Sequence, residues 1–189
     1  QTLTLQKEPL QRRQLRIHKT PVRNNNHVSL VSCGPPLPGV DVRIVDPESF
    51  AALGDDAVGE IWIGGKSKCA GYWRRPDLTQ AVFQAHIDGE QGAGGYLRTG
   101  DLGFLHEGEL YVCGRLKDLI IIHGANYYPQ DIETVVEAEF PEIGLHGDGR
   151  AVAFAMDHNG EERMVVVIEA RRGHDLPDPA SVARVIRAR

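Results

Sequence analysis

The apolar periodicity of this chain changes character once, at Gly114-Arg115-Leu116-Lys117-Asp118, inside the stretch VCGRLKDLIII. Ahead of it, VDVRIVD (from Val40) and GEIWIGG (from Gly59) alternate apolar and polar residues with period two, as half-buried strands do. The loop between them carries Pro, Gly and Asp-Asp turn signals. Behind it, DLIIIHG reads as a short apolar strand. PQDIETVVEAEF reads as an amphipathic helix with Pro129 near its start and Ile132, Val135 and Val136 on one face. RAVAFAMD and RMVVVIEARR flank HNGEE, a hairpin with Asn159-Gly160 at its turn, and DPASVARVIRAR begins another helix. A β-α-β-β-α order predicts a small α+β unit, not a continuation of the first sheet. Lys117 falls at the join. The join itself has no Pro and no Asn-Gly pair to close a hairpin. Arg115, Lys117 and Asp118 therefore need a reason other than a turn.

The remaining segments are less regular. Residues 1–29 are polar and basic with scattered Leu and Ile, which predicts a surface segment with one strand. In CAGYWRRPDLTQAVF, Pro76 opens a helix, Asp77 suits its N-terminal dipole, and Leu78, Ala81 and Val82 have helical spacing. The preceding Gly71-Tyr72-Trp73 reads as core packing, as do Tyr127 and Tyr128. DGEQGAGG is a Gly-rich loop. YLRTGDLGFLHEGELYVCG reads as short strands with turns at Thr99-Gly100-Asp101 and His106-Glu107-Gly108.

Bulk properties exclude several classes. A length of 189 residues suits one full domain or pieces of two. A formal net charge of -5 argues against a nucleic-acid partner. No apolar run approaches the ~20 residues that span a bilayer, and no signal-peptide pattern is present. A cytoplasmic setting without a membrane span is the expectation. Cys33, Cys69 and Cys113 are widely spaced without a CxxC, and the eight His show no HExxH. That predicts free thiols, no disulfide framework and no metal site. Gln1 is not a Met and Arg189 ends a helical pattern without a cap, so a segment of a longer polypeptide is expected.

Three motifs in order carry a resemblance: GEIWIGGKSKCAGYWRRPDLTQAVF, then YLRTGDLG, then GRLKDLIIIHGANYYPQDIE. Between about Val31 and Glu139 the chain resembles the second half of the adenylate-forming superfamily. That superfamily includes acyl-CoA synthetases, nonribosomal peptide adenylation domains, luciferases and fatty acyl-AMP ligases. LVSCGPPLPGVDVRIVDPES and the form of the third motif look most like the fatty acyl-AMP ligases. Members of that branch carry an insertion ahead of the Ser-Cys-Gly segment, to which 1–29 would belong. The implied fold class is mixed α/β (α+β). Residues 1–116 would be the C-terminal, β-rich portion of the large adenylation domain. Residues 117–189 would be a small, mobile α+β lid, incomplete, with its hinge at Lys117.

The resemblance also assigns roles. A carboxylate accepts several hydrogen bonds at once, which suits a vicinal diol. Asp101 is implied to bind the 2′- and 3′-hydroxyls of the adenosine ribose. Taken alone it reads only as a turn Asp. Arg115, always charged and fork-shaped, is implied to lie near the nucleotide ribose and phosphate. Lys117 occupies the position at which these enzymes pivot the lid between two half-reactions. His123, Gly124, Ala125 and Asn126 belong to a loop that in relatives lines the thiol-acceptor tunnel. Gly124 would let backbone approach a narrow ligand such as a pantetheine arm. Asp118 receives no role. The catalytic Lys is expected beyond Arg189 and the phosphate loop before Gln1, so no catalytic residue is assigned and this chain alone is expected to be inactive.

The implied reaction uses ATP and Mg²⁺ to convert a fatty acid into acyl-AMP and pyrophosphate. The acyl group would then pass to the phosphopantetheine thiol of an acyl carrier protein, in lipid or polyketide synthesis. The alternatives are a long-chain acyl-CoA ligase and a non-catalytic adenylate-fold binding module.

Overall fold

The computed structural model describes residues 1–18, 26–90, 95–140, 151–159, 161–169 and 177–188. It contains two compact units, and the chain passes from one to the other between Lys117 and Asp118.

The first unit begins with a small antiparallel sheet of β1 (Thr2–Gln6), β2 (Ile17–His18) and β3 (His27–Val31), in the order β2-β1-β3. A short helix α1 (Lys7–Gln11) follows β1. Three strands stand where the sequence predicted one, and Leu3, Leu5 and Leu10 are core residues instead of surface scatter. The polar background concealed them, because a two-residue alternation is too short to register as a strand pattern. Ser32 then bridges to Tyr111, and the Cys33 N–H donates to the Leu110 carbonyl, which ties this sheet's exit to the main one.

The main sheet is an antiparallel meander of β4 (Val40–Val45), β5 (Gly59–Gly65), β6 (Leu97–His106) and β7 (Glu109–Arg115). The period-two segments became β4 and β5, paired from Val40↔Gly65 to Val45↔Glu60. Trp62, Val45 and Ile87 form a buried cluster, and Phe104 stacks on Tyr111 at 5.1 Å. Helix α2 (Pro76–Phe83) starts at Pro76 as predicted. The Gly71-Tyr72-Trp73 segment differs from expectation. Tyr72 packs its ring edge-on against Phe83, but Trp73 is 86% exposed, with only Arg74 described over its ring. Positive φ at Gly71 and Arg74 turns this segment outward before α2 begins. Four residues of the Gly-rich loop, 91–94, lie outside the described residues.

In the second unit, β8 (Ile120–Ile122) pairs antiparallel with β9 (Ala125–Tyr127). The two-residue turn between them is His123-Gly124, with φ of +50° and +77°. Positive φ at both central positions suits a tight hairpin and explains the glycine. The stretch read as strand plus loop is therefore a hairpin. Helix α3 (Pro129–Glu139) follows, then the hairpin of β10 (Ala151–His158) and β11 (Glu161–Ile168), then α4 (Pro179–Arg187). Gly160 of the predicted turn lies outside the described residues, while Asn159 has φ +58°. Asp178 caps α4 by accepting from the Ser181 N–H and hydroxyl. Val136, Ala151 and Val182 form the core, with Ile132, Val166, Ile168 and Ile186 packed around them.

Candidate functional site

The predicted Thr99-Gly100-Asp101 turn does not interrupt the strand. Strand β6 runs unbroken from Leu97 to His106. Its pairing to β5 jumps from Glu60↔Leu102 to Trp62↔Arg98, so Ile61 alone faces Thr99, Gly100 and Asp101. These three residues form a bulge inside a long strand. Gly100 sits there at φ +73°, a conformation that side chains other than glycine's rarely adopt. A second irregularity lies across β6 and β7, where the register shifts between Leu102↔Gly114 and Gly103↔Val112 and leaves Cys113 unmatched.

The bulge brings two predicted residues together. Asp101 pairs directly with Arg115 in the β6–β7 register, and Arg115 Nε donates to Asp101 Oδ1 at 3.0 Å. Both side chains remain open to solvent, at 38% and 51% exposure. A carboxylate has about four acceptor positions. One guanidinium bond therefore leaves Asp101 able to accept from an incoming diol.

Three further contacts hold the bulge. Thr99 Oγ1 donates to the Ile61 carbonyl at 2.7 Å and accepts from the Asp101 N–H at 3.0 Å. The Gly100 N–H donates to Glu60 Oε1 at 3.1 Å. Glu60 is 1% exposed and also accepts from Trp62 Nε1 at 2.9 Å and from Arg98 Nε and Nη2 at 3.0 and 2.9 Å. The Arg98 guanidinium lies 4.9 Å from the Phe50 ring centroid and 5.6 Å from that of Trp62. Sequence reasoning passed over both Glu60 and Arg98. The available signal was a carboxylate within GEIWIGG, whose neighbours are apolar or Gly, followed downstream by an Arg one residue before Thr-Gly-Asp.

The other predicted residues fall elsewhere. Lys117 lies in a one-turn 3₁₀ segment, Leu116–Asp118, with no buried residue. His123 and Gly124 form the β8–β9 turn, and Ala125 and Asn126 begin β9. The space in front of Gly124 is open, with nothing within 4 Å of an added Cβ. Among the described residues, no group of three or more His, Cys, Asp or Glu is assembled to hold a metal ion. Among the same residues, no helix is long and apolar enough to cross a membrane.

Residues 17–73 match the family model of the AMP-binding enzymes. The chain is 43% identical over 173 residues to the medium-chain-fatty-acid–[acyl-carrier-protein] ligase JamA of Moorena producens, a match covering 91% of this chain and 28% of JamA. It is similar to a structure from work on the fatty acyl-adenylate ligases of E. coli and L. pneumophila, with TM-score 0.72 and 32% identity. That match covers 100% of this chain and 30% of the other. A fatty acyl-adenylate ligase from L. pneumophila, solved with acyl adenylate and pyrophosphate, matches with TM-score 0.57 and 36% identity, over 100% of this chain and 31% of its own. The chain thus spans under a third of the length of these relatives.

Sequence and fold together define the class of the likeness: residues 17–73 carry the pattern of the AMP-binding enzymes, and the relatives that the chain matches are ligases. Within it, the kinship is with the fatty acyl-AMP ligases. Enzymes of this family use ATP, typically with Mg²⁺.

Proposed function

We propose that the whole enzyme activates a fatty acid with ATP and delivers the acyl group to the phosphopantetheine thiol of an acyl carrier protein. A carboxylate oxygen of the fatty acid attacks the α-phosphorus, a new P–O bond forms, and the bond to the β-phosphate breaks to release pyrophosphate. The thiol, after losing its proton, then attacks the acyl carbon and AMP departs. Mg²⁺ would accompany ATP, and a cytoplasmic setting would suit both substrates.

The observation that carries this reading is the Asp101–Arg115 pair on the bulge of β6. Asp101 accepts hydrogen bonds from the ribose hydroxyls, and Arg115 holds its carboxylate in place while lending positive charge beside the nucleotide. Catalysis of this kind depends on positioning, so a fixed ribose fixes the α-phosphorus relative to the attacking oxygen. Lys117 acts as the pivot between the two half-reactions, and its exposed turn leaves the side chain free of packing that a rotation would break. His123, Gly124, Ala125 and Asn126 line the path of the thiol when the second unit has turned. The JamA likeness supports a carrier protein as acceptor.

Asp101→Ala in the full-length enzyme tests the reading through ATP–pyrophosphate exchange. Losing a hydrogen bond to a charged group removes about 1.5–3 kcal/mol, roughly ten- to a hundredfold in kcat/KM for ATP. Unchanged exchange kinetics would overturn the site. Acyl transfer assayed with carrier protein and CoA in parallel decides the acceptor, and turnover with CoA alone would replace the carrier-protein reading.

A further inference from the structure

We infer that Glu60 is a positioning residue for nucleotide recognition: its buried carboxylate fixes the Gly100 backbone and so sets where Asp101 presents its own. The inference rests on the ribose-binding reading of Asp101 given above and extends it to a residue on a different strand.

A carboxylate at 1% exposure is an expensive thing to bury. Fold stability alone does not call for it, since replacing a buried ion pair by apolar residues is often neutral or stabilising. The geometry gives the charge another use. Within the bulge, three residues of β6 face Ile61, so the regular β5–β6 ladder does not extend through Gly100. The Gly100 N–H is left needing an acceptor, and Glu60 Oε1 supplies it from the neighbouring strand. The carboxylate is itself immobilised. Oε2 is taken by Trp62 Nε1 and by two nitrogens of Arg98, and Arg98 is held near the Phe50 and Trp62 rings. Asp101 follows Gly100 directly, and its N–H is held by Thr99 Oγ1, whose hydroxyl is anchored to β5 at Ile61. Two attachments to β5 therefore hold the backbone that leads into Asp101. The ionic one is Glu60.

Glu60→Gln keeps the shape but turns one acceptor oxygen into an NH₂ donor, which must face either the Gly100 N–H or the donors of Trp62 and Arg98. Either the Gly100 bond is lost or the group that accepts it is no longer immobilised, and in both cases Asp101 loses its fixed approach to the ribose.

The test compares ATP with 2′,3′-dideoxy-ATP in pyrophosphate exchange by the full-length enzyme. The readout is the ratio of kcat/KM for the two nucleotides. Asp101→Ala should collapse this ratio; retention of the wild-type ratio there would defeat the ribose reading itself, and the present inference with it. Given that collapse, Glu60→Gln should lower the ratio about tenfold, through a raised KM for ATP and little change for the dideoxy nucleotide. An equal loss for both nucleotides, or an unchanged ratio, would reduce Glu60 to a structural group. Should Glu60→Gln fail to fold, Arg98→Lys decides the matter, because it keeps the charge but releases the fork that immobilises Oε2. A ratio lowered severalfold in that variant supports the inference, and a wild-type ratio overturns it.

Discussion

In the first unit the interior of the meander contains large aromatic rings, Trp62, Phe104 and Tyr111, and among them a carboxylate, Glu60. Its strand pairing is interrupted by register shifts on both sides of β6. The second unit is built from smaller apolar groups, with Val136, Ala151 and Val182 at its centre and continuous pairing from Ala151↔Ile168 to His158↔Glu161. Its polar contacts serve the framework: Glu133 and Glu137 on α3 accept from the Ala153 and Ala151 N–H groups of β10. Irregular backbone and buried charge thus concentrate where the nucleotide is proposed to bind. Sequences that specify one structure depart from local regularity mainly at functional sites, and the contrast between the units follows that rule.

The join between them is the place to break the comparison most severely. Proline fixes φ near −65°, within the range of the 3₁₀ segment that contains Lys117. Lys117→Pro is expected to lock the present turn. If the units must reorient between half-reactions, one half-reaction persists while the other falls by orders of magnitude. Paired single-turnover rates for adenylation and thiol transfer, with melting curves as a folding control, check this. Equal losses in both steps, or none, would leave Lys117 an ordinary exposed charge.

Core truncations sharpen the contrast on a smaller scale. Trp62→Ala should destabilise by about 3–5 kcal/mol, since it opens a large cavity and removes a donor from Glu60. The same substitution should lower the ATP to dideoxy-ATP ratio, because it loosens the support of the bulge. Val136→Ala should cost about 2 kcal/mol and leave that ratio unchanged. Denaturant midpoints and exchange kinetics on both variants give the comparison. A changed ratio in Val136→Ala would show that the cores are not separable in function.

The two units also differed in how far they could be read from sequence. Elements with clean periodicity, β4, β5, α2 and α3, stand where their patterns put them. Asp101 and Arg115 were singled out separately, and the β6–β7 register places them side by side. The bulge was not legible, because Thr-Gly-Asp has the composition of an ordinary turn and only pairing with β5 shows that the strand continues through it. Glu60 was hidden for the same reason: beyond neighbouring Trp62, its partners lie 38 and 40 residues away in Arg98 and Gly100. In β10 the obstacle was different. AVAFAM is apolar on both faces, and the small Ala151 and Ala153 turn inward while Val152, Phe154 and Met156 are exposed. Size decided the direction, and period-two patterning carries no information about size.

The smallest expected effect concerns the loop after β4, which belongs to the first unit but not to its site. Asp46 accepts from the Ser49 and Glu48 N–H groups at 2.9 Å and from the Ser49 hydroxyl at 3.1 Å. The Ser49 N–H chiefly holds its carboxyl below the ordinary value of 3.8; the Glu48 N–H, the Ser49 hydroxyl and Arg13 add to the effect, while partial burial opposes it. A carboxyl depressed by folding adds stability above its unfolded pKa, and that stability is lost as pH falls through the folded value. Asp46→Asn keeps an acceptor for the turn and removes the charge. It should therefore cost only about 0.5–1 kcal/mol at neutral pH, a figure typical of a partly exposed charged cap. The difference in Tm between the two proteins should shrink as pH drops below 3.8 and vanish once the native carboxyl is protonated. Nucleotide discrimination should not move at any pH where both remain folded, because none of the bonds described for Asp46 reaches the bulge of β6. A Tm gap that stayed constant into acid would show that the side chain acts through shape alone, and a shift in discrimination would extend the site beyond the β5–β7 strands.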